Sequence, residues 1–164
     1  MMLKPGNSVP EISIPDQNGT ISSLSSFRGK YLLLYFYPKD FTPGCTKEAC
    51  DFRDAFPRFN PDKITVVGVS TDTIASHKKF ADKNSLPFTL LADTDKKLVE
   101  AFGVWQPKKF MGKEFLGTVR TSFLINPEGK IVKVYEKVNP LIHAAEVEKD
   151  LQALSKMFKE QPVC

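Results

Sequence analysis

The segment YLLLYFYPKDFTPGCTKEACDFRDAF, residues 31–56, carries the strongest indication of the fold. It opens with a run of seven apolar residues, which is typical of a central strand covered by helices on both faces. A Thr-Pro-Gly turn follows at residues 42–44, and residues 45–56 then show a helical pattern with Cys45 and Phe52 on one face. A buried strand that leads directly into an amphipathic helix predicts an α/β protein.

Strands and helices continue to alternate after this segment. The pattern predicts buried strands at residues 64–70 and 87–93, and helices at residues 73–84 and 94–103. We expect the second of these helices to be capped by Thr94 or Asp95 and to stop at Gly103.

The remaining segments predict two hairpins, a loop and a last helix. An Asn-Gly turn inside the alternating residues 11–24 indicates an N-terminal hairpin. We interpret residues 106–114 as a lysine-rich loop. Residues 118–125 and 130–138, joined by the turn NPEG, predict a second hairpin. A helix is expected at residues 143–158, with a stripe formed by Val147, Leu151, Leu154 and Phe158.

This element order predicts the fold class. Strands that alternate with helices and are followed by a hairpin and a helix indicate a central mixed sheet flanked by helices. This is the order of a thioredoxin-like α/β fold with an added N-terminal hairpin. We expect residues 1–164 to form one domain, because the chain has the length of a single compact unit.

Composition excludes several classes of function. The net charge is +4, and the basic residues, 19 lysines and 4 arginines, form no run longer than two, so we expect no nucleic-acid binding. The longest apolar run is far too short to cross a bilayer, and the start of the chain has no signal-peptide pattern. We therefore expect a cytoplasmic protein without membrane contact, whose cysteines are kept reduced.

The spacing of Cys45 and Cys50 suggests a redox switch. A helix that starts near Cys45 offers free N–H groups and partial positive charge to its sulfur, which favours the reactive thiolate. Cys50 lies on a wetter face beside Arg53 and Asp54. Five residues of ideal helix separate the two Cα atoms by roughly 8.7 Å, beyond the limit of about 7 Å for a disulfide. The cysteines can therefore bond only if the helix unwinds locally.

Other interpretations of these cysteines remain open. Buried cysteines are often only small apolar side chains. A zinc site would need more ligands at short spacing, and His77 and His143 are isolated in the sequence, so we expect neither a metal nor another cofactor. Cys164, the last residue of the sequence, is expected to be an incidental thiol.

Arg120 is the second candidate for chemistry. It falls in the alternating segment 118–125, on the predicted face of Ser122 and Leu124. Its guanidinium is a fixed fork of donors that stays charged when desolvated, and it suits a thiolate or the two oxygens of a small substrate. The alternative is an edge-strand arginine that reaches solvent.

At this point the chain resembles the peroxiredoxins. PKDFTPGC, residues 38–45, fits their active-site pattern P-x-x-x-T-x-x-C, and the surrounding residues 35–54 look like the Q-type, or bacterioferritin-comigratory, subgroup. The resemblance continues through residues 93–104 and through residues 120–135, which carry the arginine of the family.

The resemblance implies a role for each matching residue. Cys45 would be the peroxidatic cysteine, Thr42 would offer its hydroxyl to the peroxide, and Pro38 would shield the thiolate from water. Arg120 would hold thiolate and peroxide, with the backbone amides of Gly44 and Cys45 as further donors. Glu48 would assist the arginine.

The resemblance also implies a cycle. Cys50 matches the resolving cysteine of those Q-type members that place it on the same helix, so a Cys45–Cys50 disulfide is expected after reaction with hydrogen peroxide or an organic hydroperoxide. An outside dithiol, such as thioredoxin or a glutaredoxin-like protein, would reduce it. Phe41 departs from the family pattern, in which a small or polar residue is more usual at this position, so we expect a more apolar pocket rim that favours bulky hydroperoxides. No tail follows the last helix to resolve across a dimer, so a monomer is expected.

Two other functions are open from the sequence. A thiol–disulfide oxidoreductase on the same fold would use a two-residue spacer between its cysteines, which the four-residue spacer here argues against. A redox sensor or holdase would expose apolar surface when the helix that carries Phe52 and Phe56 melts.

Overall fold

A computed structural model describes residues 2–59 and 63–160, with side chains described as far as residue 154. A five-stranded mixed sheet lies at its centre. Its strands are β3 Tyr31–Phe36, β4 Ile64–Ser70, β5 Thr89–Ala92, β8 Thr121–Ile125 and β9 Ile131–Tyr135, and their order is β5-β4-β3-β8-β9. Strands β5, β4 and β3 run parallel to one another, and the β3–β8 and β8–β9 pairs are antiparallel.

Helices cover both faces of this sheet. Their bounds are α1 Pro43–Ala55, α2 Ile74–Asn84, α3 Lys97–Ala101 and α4 His143–Glu160. One core cluster joins β3 to α1, α2 and α4 through Tyr35, Phe52, Phe80 and Val147. The other joins the opposite face of β3 to α3. Both faces of β3 are therefore buried, and the predicted α/β class with a central mixed sheet is confirmed.

The N-terminal hairpin and the β8–β9 hairpin form as predicted. Strands β1 Ser13–Pro15 and β2 Ile21–Ser23 pair antiparallel, with a turn that contains Gly19 at a φ of 80°. Within α4, Val147 and Leu151 are buried and Leu154 packs against the core, whereas the side chain of Phe158 lies outside the described residues. No helix within the described residues is long and apolar enough to span a membrane.

The predicted lysine-rich loop is wrong. Residues 105–118 form an antiparallel ribbon instead, with strands β6 Trp105–Phe110 and β7 Lys113–Thr118. Met111 and Gly112 make its turn, at φ values of 52° and 78°. This left-handed pair is typical of tight hairpin turns, but the lysines along the strands hid the alternation.

The predicted cap of α3 is also wrong. The helix begins at Lys97, and the buried carboxylate of Asp93 accepts the free backbone N–H groups of Leu98 and Val99, at 2.9 to 3.1 Å. Asp93 takes the role expected of Thr94 or Asp95, because it projects from the end of β5 toward the start of the helix. Gly103 follows the helix in the left-handed conformation, as predicted.

Candidate active site

The N-terminus of α1 places Cys45 against the middle strand of the central sheet. Thr42 is the N-cap, and α1 begins at Pro43, two residues earlier than expected. A proline in the first turn is favoured because its missing N–H would have no partner there. Cys45 lies in the same turn and is almost fully buried, against Tyr35 and other core side chains. The first backbone N–H groups of a helix have no intrahelical partner, and Gly44 and Cys45 occupy these first positions of α1.

Arg120 reaches this sulfur from a distant part of the chain. Its Nη2 atom donates a hydrogen bond to Cys45 Sγ over 3.1 Å. Arg120 lies just before β8 and not inside a strand, and β8 is an interior strand, so the edge-strand alternative is wrong. The guanidinium passes so close to Gly44 that a Cβ there would lie 2.9 Å from Nη2.

Glu48 lies beside the same guanidinium. Its Oε1 is 3.5 Å from Arg120 Nη1, and neither atom has a hydrogen-bond partner among the described residues. Burial raises the pKa of Glu48 to about 7, although the charge of Arg120 acts in the opposite direction. The carboxyl group therefore changes its charge near neutral pH, one turn of helix away from the thiol.

The loop of residues 37–42, which leads into α1, forms the remaining part of the candidate site. Thr42 Oγ1 donates to the carbonyl of Lys39 over 2.9 Å, which leaves the hydroxyl oxygen free to accept a hydrogen bond. Pro38 is half-buried between a buried and an exposed residue. Phe41 is 47% exposed, has a φ of 65°, and packs its ring edge-on against Phe80.

Cys50 points away from Cys45. Its thiol is half-buried and donates to Asn84 Oδ1 over 3.6 Å, at the end of α2. Arg53, also on α1, donates to the backbone carbonyl of Asn84 over 2.8 Å. Both thiols are free and the helix between them is intact. The face of α1 that carries Cys50 is less exposed to solvent than expected, because α2 covers part of it. Cys164 lies outside the described residues.

Two groups near the site were missed in the sequence. Lys108, which the sequence analysis assigned to a loop, lies on β6 and donates a hydrogen bond to the backbone carbonyl of Thr118. Burial, together with the charge of Arg120, lowers the pKa of Lys108. His77, expected to be isolated, is fully buried against Asp40 and near Asp72. The spacing from Thr73, the α2 cap, to the buried Phe80 places residue 77 on the inner face, and this signal could have identified it.

The possible ligand atoms of Asp40, Asp72 and His77 lie close enough together to hold a metal ion. These atoms already form hydrogen bonds with other groups of the protein. His143 is not isolated either. It bonds to Ser122 Oγ over 2.8 Å and to Glu146 over 3.0 Å, and burial lowers its pKa. Although each is isolated in the sequence, His77 and His143 both belong to hydrogen-bonded networks in the structure.

Comparison with known proteins identifies the family. The AhpC/TSA family model matches residues 5–134. Peroxiredoxin Bcp of Bacillus subtilis is 45% identical over 155 residues, 94% of this chain and 99% of that protein. A PrxQ structure from Xylella fastidiosa has a TM-score of 0.89 at 33% identity and covers 94% of this chain and 99% of its own.

A further structure gives the same result. A bacterioferritin comigratory protein from Xanthomonas campestris has a TM-score of 0.82 at 37% identity, over 90% of this chain and 98% of its own. These matches confirm both the predicted thioredoxin-like fold and the predicted resemblance to the Q-type subgroup. The chain therefore belongs to the AhpC/TSA family, and within it to the Bcp or Q-type peroxiredoxins, which are thiol-dependent peroxidases.

Proposed function

We propose that this peroxidase reduces hydrogen peroxide and organic hydroperoxides at Cys45, and that a Cys45–Cys50 disulfide carries the oxidation to a dithiol protein. The observation that supports this most is the hydrogen bond from Arg120 to Cys45 Sγ at the start of α1. A cationic donor and the free N–H groups of a helix N-terminus stabilise a thiolate relative to a thiol. The thiolate is the form that attacks.

In the first step the sulfur of Cys45 forms a bond to one peroxide oxygen while the O–O bond breaks. The sulfur is oxidised to a sulfenic acid, and the other oxygen leaves with the electron pair, takes a proton and departs as water or an alcohol. Negative charge grows on this leaving oxygen. Arg120 and the backbone N–H groups of Gly44 and Cys45 are fixed donors for that charge, as in an oxyanion hole.

The loop side chains would orient the peroxide. Because the Thr42 hydroxyl donates a hydrogen bond to the backbone carbonyl of Lys39, its oxygen is suited to accept a hydrogen bond from the O–H of the peroxide. Pro38 would limit water at the sulfur. The exposed ring of Phe41 offers apolar surface to an organic hydroperoxide. The Xanthomonas campestris bacterioferritin comigratory protein is described as having alkyl peroxide reduction activity, which supports organic substrates here.

Glu48 would orient the arginine. It is buried, it lies 3.5 Å from one arm of the guanidinium, and the other arm donates to the sulfur. When Glu48 is ionised, its attraction would keep the guanidinium in the plane that reaches both the sulfur and the substrate.

In the second step Cys50 attacks the sulfenic sulfur, a disulfide forms and water leaves. The hydrogen bond to Asn84 and the intact helix oppose this reaction, so α1 must unwind first. Thioredoxin or a glutaredoxin-like dithiol would then reduce the disulfide by exchange, with its own two thiols oxidised. We propose that the enzyme does this as a monomer in the cytoplasm.

Intact mass spectrometry tests the cycle. The fully reduced protein receives one equivalent of hydrogen peroxide, and peptides are then mapped. A loss of about 2 Da, the two hydrogens released by a disulfide, is expected between Cys45 and Cys50. The Cys50→Ser variant should instead gain oxygen on Cys45. Oxygen on Cys45 with Cys50 free in the unaltered protein would contradict the disulfide, and no modification at all would contradict peroxide attack at Cys45.

A further inference from the structure

A buried carboxylate lies between the strand that ends at Phe36 and the helix that carries the thiol. Asp40 is 3% exposed, and its Oδ1 accepts the hydroxyl of Tyr37 over 2.7 Å. Its Oδ2 accepts Ser76 Oγ over 2.8 Å and lies 2.7 Å from Nδ1 of His77. The backbone N–H of Asp40 donates to Asp72 over 2.8 Å. Ser76 and His77 of α2 therefore hold Asp40, and with it the loop of residues 37–42, in place.

The geometry fixes one proton between Asp40 and His77. The Nε2 atom of His77 is 2.9 Å from the carbonyl oxygen of Leu91, which can only accept, so Nε2 carries a hydrogen. The contact between Nδ1 and Oδ2 needs a second proton, because two lone pairs would otherwise face each other. The pair is therefore either an imidazolium with a carboxylate or a neutral imidazole with a carboxylic acid. Either form is electrically balanced, as burial requires.

The residue after Asp40 shows what this anchor holds in place. Phe41 has a φ of 65°, a conformation that a bulky side chain rarely adopts. Such a conformation persists only where the surrounding contacts impose it. The bonds of Asp40 fix the residue before Phe41, and the bonds of Thr42 to Lys39 and Thr46 fix the residue after it. The conformation of Phe41 in turn sets where Thr42 enters α1.

We propose that His77 and Asp40 are positioning residues for peroxide reduction. Through their shared proton they hold Thr42 and Phe41 at the orientation that presents a peroxide to Cys45. They leave the intrinsic reactivity of the thiolate, which depends on Arg120 and on the start of α1, unchanged. This inference rests on the proposed role of Cys45 and Thr42.

Two substitutions of His77 separate positioning from simple stabilisation. The amide nitrogen of His77→Asn replaces Nδ1 and can still donate to Asp40, whereas the amide of His77→Gln replaces Nε2 and keeps only the bond to Leu91. Both variants remove an aromatic ring from the same buried place. We expect His77→Gln to lower kcat/KM for hydrogen peroxide about 10- to 100-fold, the scale of a misplaced binding group. His77→Asn should retain activity within about threefold.

Alkylation of Cys45 by iodoacetamide provides the second readout. We expect its second-order rate constant to change by less than about twofold in both variants, because Arg120 is untouched. Equal losses of kcat/KM in the two variants, or a parallel loss of alkylation rate, would overturn the proposal. Unchanged kcat/KM in both would overturn it as well.

A milder variant keeps the test decisive if both histidine variants fail to fold. Ser76→Ala removes one of the bonds to Asp40 Oδ2 from a half-buried position. We expect a fall in kcat/KM of about threefold with unchanged alkylation, against no change in the neighbouring exposed variant Lys79→Ala. Full activity of Ser76→Ala would then count against the proposal. Failure of the proposed function would differ, since the unaltered protein itself would show no peroxide turnover.

Discussion

The thiol of Cys50 donates to Asn84 Oδ1, 3.6 Å away at the last residue of α2, and therefore points away from Cys45. Asn84 is itself held, because its Nδ2 donates to the carbonyl of Phe80 over 3.0 Å. A second helix thus retains the proposed resolving thiol in the reduced enzyme. Its release is part of the cost of unwinding α1.

We predict that Asn84→Ala favours the disulfide over irreversible oxidation. Loss of this S–H hydrogen bond, worth at most about 1 kcal/mol, makes local unwinding up to roughly five times more populated. Cys50 should then capture the sulfenic acid sooner, before a second peroxide converts it to the sulfinic acid. Mass spectrometry after graded peroxide doses measures both products.

The matched control for this prediction is Asp82→Ala, an exposed residue of the same helix. It should give the same ratio of sulfinic acid to disulfide as the unaltered protein. A higher sulfinic fraction in Asn84→Ala would mean that the contact guides Cys50 toward Cys45 and does not retain it.

Arg120→Lys should lower kcat/KM for hydrogen peroxide about 10²-fold, because an ammonium cannot reach the sulfur and the leaving oxygen together as a planar fork does. Stopped-flow kinetics of the reduced protein measure this. Arg58→Lys, which alters an exposed ion pair with Glu148, is the control. A loss of less than about threefold would show that the positive charge alone suffices.

Glu48 makes stability depend on pH. Its pKa is raised by burial to about 7 from the ordinary value of 4.5, so the folded state holds the proton more tightly than the unfolded chain. The stability from this group is therefore present below pH 4.5 and lost as the pH rises through 7. The difference corresponds to roughly 3 kcal/mol.

We predict that Glu48→Gln removes this dependence. Between pH 4.5 and pH 8, its free energy of unfolding should fall by roughly 3 kcal/mol less than that of the unaltered protein. Urea unfolding at the two pH values measures the difference. Glu100→Gln, an exposed position, should behave like the unaltered protein. Parallel pH curves for all three would contradict the raised pKa.

The exposed ring of Phe41 predicts a substrate preference. Phe41→Asn removes the apolar surface and keeps a residue type that tolerates a positive φ. We expect kcat/KM for cumene hydroperoxide to fall about fivefold, the effect of roughly 1 kcal/mol of lost apolar contact, with hydrogen peroxide almost unaffected. Equal losses for both peroxides would show that Phe41 shapes the loop but does not contact the substrate.

The central strand, the first helix and the two cysteines could be predicted because local patterns specify them. Both faces of β3 are apolar, and Pro43 and Gly44 mark the start of α1. The contact of Arg120 with Cys45 spans 75 positions, and it was predicted from the resemblance to the family. Contacts of Asp40 with His77 and of Cys50 with Asn84 span 37 and 34 positions. No local pattern encodes them, because they depend on how α2 packs against its neighbours.

The close approach of Arg120 to Gly44 gives the sharpest test of the site. A Cβ at residue 44 would lie 2.9 Å from Nη2 of Arg120 and 3.4 Å from Cγ of Pro140. The guanidinium is the end of a flexible side chain and can move, and alanine favours a helix by up to about 1 kcal/mol over glycine. Gly44→Ala should therefore fold with a thermal midpoint close to that of the unaltered protein.

The same shift should cost activity. Displacement of Nη2 by a few tenths of an ångström or more weakens its bond to Cys45 Sγ and misplaces the donor for the leaving oxygen. We expect kcat/KM for hydrogen peroxide to fall about tenfold or more, and the alkylation rate of Cys45 to fall with it. Lys47→Ala, a change at an exposed position of the same helix, is the control. Full activity of Gly44→Ala would show that the enzyme does not need Arg120 at the observed distance.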